Sequence, residues 1–276
     1  MKKIIFSLAF LCISFSLMAK DINVMLLTGH TDKFHDWKIM SARVKEILDE
    51  GKIFKTTVVT DYQNPDFTGY DVVVMNLNQV TWSDDTKKRF EDFVSSGGGF
   101  VSLHETDNAF PEWEEFNKMI GLGGWGGRTH EHGDNHYFKD GKFVTVNTPG
   151  KAGKHGRRGN FEIIVHEPNH PIMKGLPKKW IHKNDELYGN LVGRNFENLT
   201  VLASGYSDLA TRGTGKQEPL LMVINYGKGR VFHTTLGHTG KGFSEAVSAN
   251  EDFKVTLLRG AEWVATGKVK QKITFK

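Results

Sequence analysis

Cysteine is almost missing from this 276-residue chain: the single one, Cys12, lies inside an apolar N-terminal stretch. If that stretch is removed, the remaining chain has no thiol. Thiol catalysis, disulfides and cysteine-ligated metals are then excluded together, and the fold must rest on its own core. Strong charge is missing too. The formal net charge is +4, and without Lys2 and Lys3 it falls to +2, which gives no electrostatic case for a nucleic-acid partner. Nor is there an apolar run of the roughly 20 residues that a membrane span needs. No G-x-x-x-x-G-K-[ST] occurs, and no G-x-G-x-x-G turn follows the first apolar run, so no nucleotide cofactor is expected.

What is present begins with an export signature. Met1-Lys2-Lys3, an apolar stretch from Ile4 to Met18, and Ala19 before Lys20-Asp21 have the order of a secretory signal peptide. The expectation is a leader over 1–19, a single domain over 20–276, and a periplasmic or secreted location without a stable membrane span. About 257 residues can bury about 70–75% of their unfolded surface, enough for one large core.

Short β-branched runs bounded by Gly, Asp or Asn predict buried strands at Ile22 to Thr28, Lys55 to Thr60, Tyr70 to Asn76 and Gly99 to His104. Between them, Trp37, Met40, Val44, Ile47 and Leu48 recur at helical spacing, as do Phe90, Phe93 and Val94 after Ser83-Asp84. Strands alternating with helices predict an α/β fold with a mostly parallel central sheet. Residues 121–160, opening with Gly-Leu-Gly-Gly-Trp-Gly-Gly, break the rhythm and read as a long Gly/His-rich insertion or functional loop. Strands return at Phe161 to Val165, Leu199 to Ser204, Leu220 to Tyr226 and Arg230 to Thr235. The last two are suited to an antiparallel pair, and a closing helix follows from about Asn250 to Ala265.

In an open parallel sheet, ligands bind beyond the carboxyl ends of the strands. That rule singles out His30 after the first strand, Asn76 to Asn78 after the third, His104-Glu105 after the fourth, and His238 after the Arg230 to Thr235 run. Asp185 and Glu186 offer adjacent carboxylates, which on a strand face opposite sides, so one of them can serve as acid or base. His130-Glu131-His132 places two imidazoles on one side of an extended chain, and with His104 and His238 they form a candidate site for a divalent metal such as zinc. A polar hydrogen-bonding loop accounts for the same triplet. Trp82, Trp113, Trp125 and Tyr188 lie near predicted element ends, where flat rings can cover the apolar face of a sugar. Lys151 to Arg158 reads as a solvated basic loop.

Several ordered motifs together resemble one family. His170-Pro171-Ile172-Met173-Lys174-Gly175-Leu176-Pro177, Asp185-Glu186-Leu187-Tyr188, Gly227-Lys228-Gly229-Arg230-Val231-Phe232, Leu236-Gly237-His238 and Gly260-Ala261-Glu262-Trp263 look like the trehalose-utilization (ThuA-like) pattern, as does Leu103-His104. The resemblance implies a three-layer flavodoxin-like fold, similar to class I glutamine amidotransferases. Amidotransferase chemistry does not follow, because the turn that would carry its cysteine holds His104. What the family implies is use of a small disaccharide, including 3-keto sugars made by a partner sugar 3-dehydrogenase. The expected roles are therefore catalysis by His104, Asp185 and Glu186, and substrate binding by His30, Trp125, Tyr188 and His238. The reaction expected is that of a hydrolase or lyase, with a non-catalytic sugar-binding protein or a scaffold as the other readings.

Overall fold

The structure is a computed structural model that describes residues 21–275; the leader expected over 1–19, with Cys12, lies outside the described residues. Strands β1 (Ile22–Leu27), β2 (Phe54–Val59), β3 (Val72–Met75) and β4 (Gly99–Leu103) form where the β-branched runs predict them. Helix α1 (Trp37–Glu50) starts at Asp36, whose carboxylate accepts the Lys38 and Ile39 amides, and buries Met40, Val44, Ile47 and Leu48. Helix α2 (Asp84–Ser95) starts at Ser83 and buries Phe90 and Val94. Helix α3 (Glu114–Ile120) was not anticipated; at seven residues it is too short to show a periodic face.

The second half supplies β5 (Asp134–Lys139), β6 (Lys142–Val146), β7 (Lys154–His155), β8 (Gly159–Val165), β9 (Lys179–Asp185), β10 (Tyr188–Gly189), β11 (Val192–Gly193), β12 (Leu199–Tyr206), β13 (Gln217–Tyr226) and β14 (Gly229–Thr234). Short α4 (Glu245–Ser248) and long α5 (Glu251–Thr266) close the chain. The main sheet runs β2-β1-β3-β4-β14-β13-β12-β8-β9. Its first five strands are parallel, and from β14 onward each neighbour is antiparallel, as expected for the β13–β14 pair. Residues 121–160 hold more order than a loop: β5 and β6 form a hairpin, with β5 also pairing β11 and β13. Their polar, weakly alternating sequence hid it.

Two apolar clusters cover the two faces of the sheet, making three layers. One joins α1 and α5 to the sheet through Met40, Val44, Phe253 and Leu257; the other joins α2 and α3 through Phe90, Phe116 and Met119. Trp82 and Trp113 belong to this second core, which corrects their reading as sugar-facing rings. Gly260 lets α5 lie against β14: a Cβ there would stand 2.2 Å from Phe232 Cδ1. Gly to Ala in a helix ordinarily gains about 1 kcal/mol. Here the core must yield, so Gly260→Ala is expected to lower stability by about 1–3 kcal/mol in urea unfolding.

The topology fixes where a site can form. The chain leaves β1 towards β2 on one side and continues at β3 on the other, which opens a crevice at the carboxyl ends of β1 and β3. Leu27 pairs with Met75, Met75 with Ser102, and Leu103 with Thr234, so the four strand ends are level. The loops that follow them meet at one edge.

Candidate functional site

His104 sits where β4 stops. Its φ of +34° turns the chain sharply into a 3-10 turn, and the ring is buried. The Thr235 carbonyl can only accept, so His104 Nδ1 carries the proton and donates to it at 2.7 Å. Nε2 is therefore the lone pair, and it faces His238 Nδ1 at 3.2 Å. Burial, with His238 and His35 nearby, pushes the His104 pKa well below its ordinary value. The ring is neutral. His238 is likewise lowered to about 4, by burial first and then by His35. Its Nδ1–H donates to His104 Nε2, and Glu186 Oε2 is 3.4 Å away, leaving His238 Nε2 as the free base.

The third histidine of the cluster is His35, in the loop after β1. Its ring centroid is 5.5 Å from that of His104 and 5.1 Å from that of His238. Asp32 shapes this loop by accepting the Phe34 and His35 amides, and its other oxygen meets His35 Nδ1 at 3.1 Å. Glu105 Oε2 is 3.0 Å from the same nitrogen, and Asn78 donates to Asp32 at 2.6 Å. Burial opposes a charge on His35, but the bonds to Asp32 and Glu105 outweigh it and hold the pKa at about 10.

A cavity of ≈ 330 Å³ opens over this cluster, at the lower end of the range for small-molecule sites. His35, Asn78, Asn108, Trp125, His155, Glu186, Tyr188 and His238 line it. Tyr188 lies over His104 with ring centroids 4.1 Å apart, and Trp125 packs on Tyr188 at 4.4 Å. The β7–β10 pair sets His155 opposite Tyr188. Glu186 is pushed up by burial, against the pull of His155 3.7 Å away. The Tyr188 hydroxyl is held protonated by burial and by the acidic groups around it.

Of the residues expected from sequence, Trp125, Glu186, Tyr188 and His238 therefore meet at one cavity, and His104 lies directly beneath it. Asp185 does not face it. Its oxygens accept Gly237 N at 2.7 Å, His238 N at 3.0 Å, Glu186 N at 2.7 Å and His182 Nε2 at 2.9 Å, leaving nothing for a substrate. It is a positioning residue. Behind it, His182 Nδ1 donates to Asp252 at 2.6 Å, so a buried cation is gripped by two carboxylates. Their pull overcomes burial and raises His182 to about 9.

His30 is placed elsewhere as well. Gly29, at φ +113°, passes against Thr60 after β2, and the His30 ring stands edge-on to Tyr62. The His130-Glu131-His132 triplet is a 3-10 turn, not an extended segment. His130 Nδ1 accepts the Gly150 amide and His132 Nδ1 accepts the Thr129 amide, while His132 Nε2 points at Glu112. Nδ1 of each ring is spent on backbone, and neither ring joins His104 and His238. Among the described residues, the histidines whose ring nitrogens lie within 4.8 Å of one another are His35, His104 and His238.

Fold and site together describe an α/β protein with a small-molecule cavity built on a histidine cluster at the switch point of its sheet. The family is shown by comparison: the trehalose utilisation (ThuA) profile matches residues 23–264, and the chain belongs to that family. A crystal structure of a ThuA-like protein from Parabacteroides merdae ATCC 43184 is similar, at 40% identity and a TM-score of 0.85, over 92% of this chain and 93% of that one. A ThuA-like protein from Bacteroides uniformis ATCC 8492 shares the fold at 19% identity and a TM-score of 0.63, over 93% and 95%. No curated protein matches the chain.

Proposed function

We propose that the cavity takes a small saccharide and cleaves a glycosidic C–O bond by proton transfer, with His238 as base and Glu186 as acid. The observation that carries this is the pair itself: a neutral histidine and a carboxyl raised by burial, 3.4 Å apart on one cavity wall beside two aromatic rings. The tautomer chain from the Thr235 carbonyl through His104 makes Nε2 the basic nitrogen of His238. Trp125 and Tyr188 offer flat apolar surface for the C–H face of a sugar. The alternative reading, a sugar-binding protein without turnover, draws on those two rings alone.

Elimination fits this geometry better than ordinary glycoside hydrolysis. That hydrolysis uses two carboxyl groups about 5–9.5 Å apart, flanking the bond. Glu186 is the only carboxylate among the residues lining this cavity, so the second carboxyl of such a pair is missing from its wall. In an oxidised disaccharide, such as a 3-keto sugar, a C–H beside the ketone is acidic enough for a histidine to remove. His238 Nε2 takes that proton, the C–H electrons form C=C, the C–O bond breaks, and Glu186 protonates the departing oxygen. The products are an enone sugar and a free alcohol.

Incubating the chain in D₂O with a panel of disaccharides and their 3-keto forms separates the two roles. Glu186→Gln is expected to keep deuterium exchange beside the ketone while losing cleavage, whereas His238→Gln loses both. Unchanged exchange in His238→Gln would overturn the assignment, and saccharide binding without exchange or cleavage would favour the binding protein.

A further inference from the structure

We infer that His35, His104 and His238 form a binding site for one divalent transition-metal ion, with zinc the best match to the donor set. The reading rests on the cavity proposed above only for its location. Each histidine offers one ring nitrogen, all within 4.8 Å of one another, and the centroids form a near-equilateral triangle with sides of 5.1, 5.3 and 5.5 Å. His104 Nε2 and His238 Nδ1 are 3.2 Å apart. The edge of a tetrahedron with Zn–N bonds of about 2.0–2.1 Å is about 3.3–3.4 Å, so this pair already stands at ligating separation, and His35 closes on it from within 4.8 Å.

The outer contacts fit as well. A metal-bound histidine nearly always donates its other ring N–H to a carbonyl or carboxylate. His104 does so to Thr235, and His35 Nδ1 has Asp32 and Glu105 at 3.1 and 3.0 Å, which leaves Nε2 of each ring to face the metal, that of His35 releasing its proton to solvent on binding. At His238, the cation would take the place of the proton now shared between Nδ1 and His104 Nε2. Asp32, His35 and Glu105 also cluster, but Asp32 already accepts two backbone amides and the Asn78 amide, so it is better suited to support than to ligate. With no thiol in the described chain, imidazole donors favour zinc and its neighbours over calcium or magnesium. A metal so placed, with a coordination position towards the cavity, would polarise a sugar carbonyl or hydroxyl.

The test is metal binding itself. The chelator-stripped chain is titrated with Zn²⁺ by calorimetry and with Co²⁺ by its visible spectrum, folding being checked by circular dichroism. One equivalent per chain and a tetrahedral cobalt spectrum are expected. His35→Ala should abolish binding. Should that variant fail to fold, Glu105→Gln is the second probe, with an expected affinity loss of about 10–100-fold. His130→Ala and His132→Ala should bind as wild type does. Absence of stoichiometric binding by the folded wild-type chain, or loss in the His130 or His132 variants instead, overturns the site. Saccharide binding to the stripped chain, followed separately by NMR, decides the carbohydrate reading whatever the metal does.

Discussion

Asp185→Ala is expected to cost about 3–5 kcal/mol of folding free energy, although Asp185 does not line the cavity over the histidine cluster. Removing one partner of a buried, hydrogen-bonded ion pair has that typical cost because the remaining charge stays buried. Here the loss also strips acceptors from the Gly237, His238 and Glu186 amides. For a chain of this size it corresponds to a fall in Tm of roughly 10 °C, read by calorimetry. The charge at the centre gives the effect a pH signature. His182 holds its proton more tightly when folded, at about 9, than when unfolded, near 6.5. Its contribution, on the order of 3 kcal/mol, is therefore fully present below about pH 6.5 and is lost as pH rises through about 9. The stability difference between wild type and His182→Gln should be largest at pH 6 and shrink steadily towards pH 9.5. A difference that grows with pH would contradict a protonated His182.

The second large effect concerns His104. Because this ring lies beneath Tyr188 and His238 and does not line the cavity, its removal should spare binding and damage catalysis. His104→Phe takes away the acceptor that fixes the His238 tautomer, leaving His238 free to present the wrong nitrogen. General-base catalysis is worth about 10²–10⁴-fold, so kcat on a cleaved saccharide is expected to fall by about 10²-fold or more, with KM changed less than about threefold. A rise in KM at unchanged kcat would mean that His104 contacts the substrate directly.

Much of the scaffold was legible because the physics that builds it is local. Val72–Met75 and Gly99–Leu103 are apolar on both faces, as buried parallel strands must be, and the helices between them carry their apolar residues three and four apart. His104 and His238 were legible by the same logic, as polar residues delivered by buried strands. The adjacency of Asp185 and Glu186 left open which one serves, and the end of β9 decides it: Asp185, its last residue, turns inward to His182, and Glu186, just beyond it, to the cavity.

What sequence reasoning missed depends on distant pairing. His35 lies eight residues beyond β1, in a loop without periodicity, and nothing local says that Asp32 folds this loop back on Glu105. The available signal was the Asp32 turn ahead of the Asp36 helix cap, which fixes the loop tightly. His155 looked like part of a solvated basic stretch, and only the β7–β10 pairing sets it opposite Tyr188. For His130 and His132 the error was the backbone: a 3-10 turn spends ring nitrogens that an extended strand would have left free.

The central claim is that a small saccharide binds over the His35–His104–His238 cluster. Ring ¹⁵N spectra of the histidines, recorded while a saccharide is titrated into the chain, test it most directly. The expected result is a saturable shift at His238, His35 and His155, with His130, His132 and His170 unmoved. Shifts confined to His130 and His132, or no shift with any saccharide, would contradict it.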